Sequence, residues 1–418
     1  MSKLTKALTA AAGNAGESLY VEDVFSNYLW AGNSTAGRVI VNDIDVSGEG
    51  GLVWIKDRTG INGNADSHSL FTTTQGANKT LLTNTTGAED TVGTDVFQAF
   101  NSNGFTVGSH GRTNENNRDY VSWTFRKAEK FFDIVTYTGN GSDQDISHNL
   151  GSTPGFVIIK ATSTTGNWSC WHSALNASSR NYIVLNSTSR DGGSTVRDVN
   201  SSTFEIYGNY PDEGSNGVSY VAYVFASDAG GFGDDGSENI IKCGSYTGTS
   251  SLNSISCGFE PQFVLVKCSS HNNTRWSLFD AMRGVATGAS ATTGDDQRLA
   301  ANSSDAESAF PMINFTATGF DVQNQYADVN ENSRTYIYIA IRRPMKTPTA
   351  GTEVFAMDTG TTSIPNWISN FVTDFVWYKD IDSVYSNYWQ SRLTGSTWLK
   401  TDSTDAQSSG SEAVWDFM

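Results

Sequence analysis

The segment Gly51-Leu-Val-Trp-Ile-Lys56 returns as Gly155-Phe-Val-Ile-Ile-Lys160, as Phe263-Val-Leu-Val-Lys267 and as Phe375-Val-Trp-Tyr-Lys379. Each is a short run rich in β-branched and aromatic residues that stops at a lysine, the composition of a strand with a buried interior. The lysines lie about 100 residues apart, too far for one turn of a solenoid and the right size for a domain. The chain therefore reads as an array of duplicated domains.

Other markers keep the same order. A His or Trp follows each lysine (His68, Trp168, Trp276, Trp389), and Ser69-Leu-Phe71 recurs as Ser277-Leu-Phe279. A polar turn comes next: Asn84 to Glu89, Asn186-Ser-Thr188, Asn302 to Glu307 and Asp402 to Gln407. Three units then close on a period-two strand: Tyr120 to Phe125, Tyr220 to Phe225 and Tyr336 to Ile341. Short alternating runs separated by Gly, Asn, Asp and Ser clusters predict antiparallel sheet, and a unit of this size with seven or eight such strands is a two-sheet sandwich. The predicted fold is all-β: a short segment 1–23, sandwich units at 24–128, 129–237 and 238–346, and an incomplete unit at 347–418. Short joints between units imply rigid stacking.

Composition narrows the function. With 27 basic and 44 acidic residues the net charge is −17, which excludes the basic stripe that nucleic-acid binding requires. No apolar run is long enough to cross a membrane as a helix. The four cysteines, Cys170, Cys243, Cys257 and Cys268, have no metal-ligand spacing and are expected as buried thiols, with a Cys243–Cys257 disulfide as the alternative. His68, His110, His148, His172 and His271 are scattered, so no metal is assigned to them. Gly231, Gly233 and Gly236 match a dinucleotide-binding glycine pattern but lead into a strand, so they read as a turn. The oxygen-rich stretches Asn62-Gly-Asn-Ala-Asp66 and Asp228 to Glu238 read as solvated turns, with calcium as the sharper alternative. No nucleophile elbow appears and no carboxylate pair can be singled out, so neither an enzyme nor a cofactor is expected.

Aromatic residues are the stronger clue to binding. Among 11 Trp and 16 Tyr, the candidates for stacking on a sugar face are Trp168, Trp171, Tyr207, Tyr210, Tyr385, Tyr388 and Trp389. Trp54, Trp123 and Trp377 lie inside strand markers and are expected in the core. Leu4 and Leu8 stand at helical spacing in the N-terminal segment, an expected docking peptide. Phe417 falls where Phe100 and Phe315 fall in their units, so unit 4 lacks the last two strand markers, and the expectation is that a neighbouring subunit or an earlier segment covers it or that its sheet is rearranged.

Two stretches, Tyr220-Val-Ala-Tyr-Val-Phe-Ala-Ser-Asp-Ala-Gly-Gly-Phe-Gly through Gly248 and Ser69-Leu-Phe to Gly76, resemble the tandem lectin-like sandwich modules of tailed-bacteriophage virion proteins from marine bacteria. The resemblance runs from residue 20 to the end. It implies a place on the particle, made in the host cytoplasm, and leaves tail or capsid surface open. With the rigid repeat and the separate N-terminal segment, the expectation is a tail fibre or spike that docks on other virion proteins and reaches toward host surface glycan, and the edge strands of duplicated sandwiches add the expectation of a homotrimer. A capsid-decorating or joint protein and a glycan-active enzyme are the alternatives.

Overall fold

The computed structural model describes residues 18–60, 65–175, 182–190, 196–208, 210–285, 296–323, 326–360, 369, 371, 373–391 and 397–409. It is all-β, a tandem array of sandwich modules. In module 1 the strands are β1 (Phe25–Ala31), β2 (Arg38–Val41), β3 (Gly51–Asp57), β4 (Ser69–Thr72), β5 (Lys79–Leu82), β6 (Asp90–Thr91), β7 (Phe97–Asn101), β8 (Gly104–Val107) and β9 (Asp119–Arg126). A six-stranded sheet, β1-β9-β3-β4-β5-β6, faces a three-stranded one, β2-β8-β7. The pairings are antiparallel and nested at the ends: the first strand lies beside the last and the second beside the next to last. Modules 2 and 3 repeat this plan. Pro154–Ala161 and Pro261–Cys268 take the place of β3, while Ser219–Ala226 and Thr335–Arg342 take that of β9.

A sheet with one wet face would alternate buried and exposed along β3, yet every residue of Gly51–Asp57, Pro154–Ala161 and Pro261–Cys268 is buried. The period-two pattern is still present, but it sorts side chains between two cores. Val53, Ile55 and Phe71 point toward the small sheet and pack on Ile40, Phe97, Phe105 and Val107. Leu52, Trp54, Leu70 and Phe125 point the other way, into a core shared with Phe156, Ile158, Cys170 and Phe225 of module 2 and Phe263, Leu265, Leu278 and Ile339 of module 3. Phe125 lies 5.6 Å from Phe225 and 6.2 Å from Phe263, ring centre to ring centre. Such edge-to-face contacts add about 1 kcal/mol each to the gain from burial. The three large sheets thus meet around one common centre.

One tyrosine repeats with its partners in each module. The hydroxyls of Tyr120, Tyr220 and Tyr336 donate to the carbonyls of Gly111, Pro211 and Ala327 and accept from the amides of Glu115, Ser215 and Glu331. This ties the loop before the closing strand to the strand itself and leaves none of these three hydroxyls orphaned. The glycine pattern at 231–236 is a turn: all three glycines have positive φ, and the Gly231 amide donates to the Gly236 carbonyl. The four cysteines are free and buried.

Two expectations are corrected here. Residues 18–23 belong to the fold, because Val21 is fully buried in the shared core and the Leu19 carbonyl accepts from Gly233; Leu4 and Leu8 lie outside the described residues. Unit 4 has one four-stranded sheet among the described residues, Phe375–Tyr378, Tyr388–Ser391, Thr397–Lys400 and Ser408–Ser409, and Trp377 there is 65% exposed instead of buried.

Candidate functional site

The lysine that ends each marker strand has no place in a core unless it finds acceptors, since a desolvated ammonium is costly. Lys56, Lys160 and Lys267 are all fully buried. Lys160 donates to its neighbour's carbonyl, Ala161, at 2.9 Å, and across to Thr86 of module 1 at 3.4 Å. Lys267 reaches Thr188 of module 2 at 3.2 Å as well as the Thr274 carbonyl. Lys56 reaches Ser304 of module 3 at 3.1 Å, with the carbonyls of Asp57 and Asp66 completing its shell. Thr86, Thr188 and Ser304 are equivalent positions of the polar turn. Burial pushes all three lysines down to about 8.

The aromatic marker runs in the same direction. The Trp168 indole donates to the Leu82 and Thr85 carbonyls of module 1, and Trp276 donates to Val184 of module 2. His68 occupies the third position. Its Nδ1 accepts from Trp54, and beside it the Thr83 hydroxyl of module 1 donates to the Ala301 carbonyl of module 3. Module 2 therefore grips module 1, module 3 grips module 2 and module 1 grips module 3. Head-to-tail contacts of one kind close into a ring when the rotation returns to its start. The array is this ring, with three modules standing in for three subunits.

The joint between modules 3 and 1 carries extra charge. Arg58 forms a forked pair with Glu307 at 2.7 to 3.1 Å. Arg283 and Asp280, both fully buried, pair at 2.7 Å, and Asp280 also accepts the Trp123 indole of module 1 at 2.9 Å. The Arg283 guanidinium lies 5.5 Å from the Trp123 ring. Between modules 2 and 3, His172 bonds the Tyr338 carbonyl at 3.1 Å, and burial lowers its basicity to about 4. A cavity of about 10 Å³, room for one water, lies there between Phe156, His172, Leu265, Trp276 and Tyr338.

The sequence-chosen aromatics separate on this frame. Trp168 is fully buried in a joint and can stack on nothing from outside. Trp171 is half-buried against the shared core. Tyr207 and Tyr210 come together, 5.9 Å apart and edge to face, and Arg197 sits 4.2 Å over the Tyr207 ring while pairing with Asp143 and Glu205. Tyr388 and Trp389 share the unit 4 sheet, and Tyr385 is exposed beside it. Phe417 lies outside the described residues.

Asn62 to Asn64 of the first oxygen-rich stretch are also outside them, and Asp66 there pairs with Arg118 at 2.8 Å. In the second stretch Asp234 accepts the Tyr20 hydroxyl, Asp235 accepts from Ser237 and Glu238 pairs with Arg342. These carboxylates are engaged by protein donors, and among the described residues no group of three His, Cys, Asp or Glu is placed to hold a metal.

Fold and joints together define a closed ring of three β-sandwiches. A family model described as a domain of unknown function, DUF7483, matches residues 21–344, and the chain belongs to that family. The matched span begins at buried Val21 and ends two residues past Arg342, the last residue of the closing strand of module 3, so the family unit is the ring and not the single sandwich. No curated protein matches the chain.

Proposed function

We propose that this chain is a non-enzymatic structural protein of a phage particle, an appendage of the tail-fibre or spike type. The observation that carries the reading is the ring. Each module uses the large face of its sheet, its marker lysine and its marker aromatic to hold a neighbour, an arrangement suited to rigidity. The sequence resemblance to tandem virion modules supports the same reading, as does the large exposed apolar surface of unit 4, the kind of patch that marks a protein contact.

Host-surface glycan, in this reading, meets Tyr207 and Tyr210. They are half-buried, close together and flanked by Arg197, Asp143 and Glu205, so ring faces and hydroxyl-binding groups lie side by side. Quantitative mass spectrometry of purified particles of the encoding phage tests the proposal. Copies on the order of tens fit an appendage built from few symmetric assemblies; hundreds assign it to the capsid surface, and absence from the particle refutes a virion role.

A further inference from the structure

Unit 4 repeats the joint chemistry without a neighbour among the described residues to receive it. Its register is fixed by backbone bonds: the Thr401 amide donates to Asn387, as Thr83 does to His68, Leu185 to Trp168 and Ala301 to Trp276. Trp377 pairs with Trp389 as Trp54 pairs with Leu70. Phe375, Trp377, Trp389 and Leu399 thus occupy the places of Leu52, Trp54, Leu70 and Leu81, which in module 1 all face the shared core. There Leu52 and Trp54 are 2% and 4% exposed; Phe375 and Trp377 are 52% and 65% exposed. Lys379 stands where the joint lysines stand but is exposed, and Thr404, equivalent to Thr86, Thr188 and Ser304, is exposed as well.

The ring of modules 1 to 3 cannot cover this face. Its three lysines already fill the three turn carbonyls, and the corresponding sheet faces already meet at the common centre. A complement of the right shape and chemistry exists in other copies of the same unit. We infer that unit 4 assembles with the unit 4 sheets of two further copies of this chain, in the head-to-tail order found within the chain. Lys379 of one copy then bonds the Thr404 carbonyl of the next, and Phe375, Trp377 and Trp389 meet at the centre. The inference stands apart from the virion reading.

The test is the mass of the full chain in solution by light scattering. The expected value is three times the 45.1 kDa chain, falling to one chain in the double variant Phe375→Ser/Trp377→Ser, with the melting of modules 1 to 3 unchanged. A native monomer or dimer at tens of micromolar overturns the inference, as does a trimer indifferent to the double variant. Loss of the unit 4 sheet itself is guarded against by a second chain, Lys379→Cys/Thr404→Cys. A bismaleimide linker about as long as a lysine side chain should join it into covalent species of up to three chains, and no cross-linking within a solution trimer would overturn the proposed order.

Discussion

Replacing Asp280 by alanine should damage the whole ring and not one module. The carboxylate accepts three bonds: from Arg283 Nε at 2.7 Å, from the Arg283 amide at 3.0 Å and from Trp123 Nε1 at 2.9 Å. Asp280→Ala leaves a fully buried guanidinium bonded to the carbonyls of Gln297 and Leu278, with Glu307 at 3.6 Å as its nearest remaining counter-charge. Breaking a buried pair from one side costs about 3 to 5 kcal/mol. The orphaned Trp123 indole adds about 1 kcal/mol. Because this joint connects module 3 back to module 1, the loss should lower the urea midpoint of a single transition, followed by tryptophan fluorescence, with little change in slope. Asp280→Ala/Arg283→Met, which removes both charges, should recover a large part of it. A single-variant loss below about 1 kcal/mol refutes the assigned strength of the joint, and a separate early transition of module 3 alone refutes the ring's cooperativity.

Two further outcomes follow from titrating groups. Lys56, Lys160 and Lys267 are held near 8 when folded against 10.5 unfolded, so between those values each binds more proton in the unfolded chain and its own contribution to stability rises with pH. Burial raises the Cys170, Cys243 and Cys257 thiols, which oppose this above about pH 9, so the lysine share is read as a difference: relative to Lys160→Met at each pH, the unfolding free energy of the native chain should gain at most about 3 kcal/mol between pH 8 and 10. Glu213 is buried with both carboxylate oxygens unpartnered, and burial raises its pKa well above the usual range. It therefore destabilises increasingly as pH rises above the ordinary glutamate range. Glu213→Val, the residue at the equivalent position 329, should gain about 1 to 2 kcal/mol at pH 7 and less at pH 4, measured by thermal melts across pH.

The repeat, the strand periodicity and the sandwich were legible because they depend on side-chain pattern. Lysine and aromatic markers were visible too, but not their purpose. Each crosses to a backbone carbonyl of another module, and a carbonyl acceptor leaves no signature in the residue that carries it. Trp168 shows the consequence: an aromatic in a polar setting suggests a sugar platform, whereas its indole is used at a joint. In unit 4 the aromatic marker misled by two residues, since the ladder puts Asn387, not Trp389, in the position of His68. Trp377 followed the core pattern of Trp54 faithfully, but its sequence could not show that the neighbouring modules which bury Trp54 are missing around it. The Tyr207–Tyr210 pair was readable from spacing alone, while Arg197 came to it through the fold.

The tolerance of those carbonyl acceptors has a bearing on how the modules vary. A joint that recognises backbone accepts Thr86, Thr188 or Ser304 alike, so the residues around it are free to drift while the grip persists. Three identical subunits would repeat any loop change three times around the axis; one chain carrying all three can alter a single loop and leave the other two alone. The Tyr207–Tyr210 pair is such a solitary change: the loop recurs in modules 1 and 3, with His110 and Tyr326 in the place of Tyr210, but Val107 and Gln323 stand where module 2 has Tyr207, so the pair is displayed once per ring on a scaffold whose symmetry lies in its main chain.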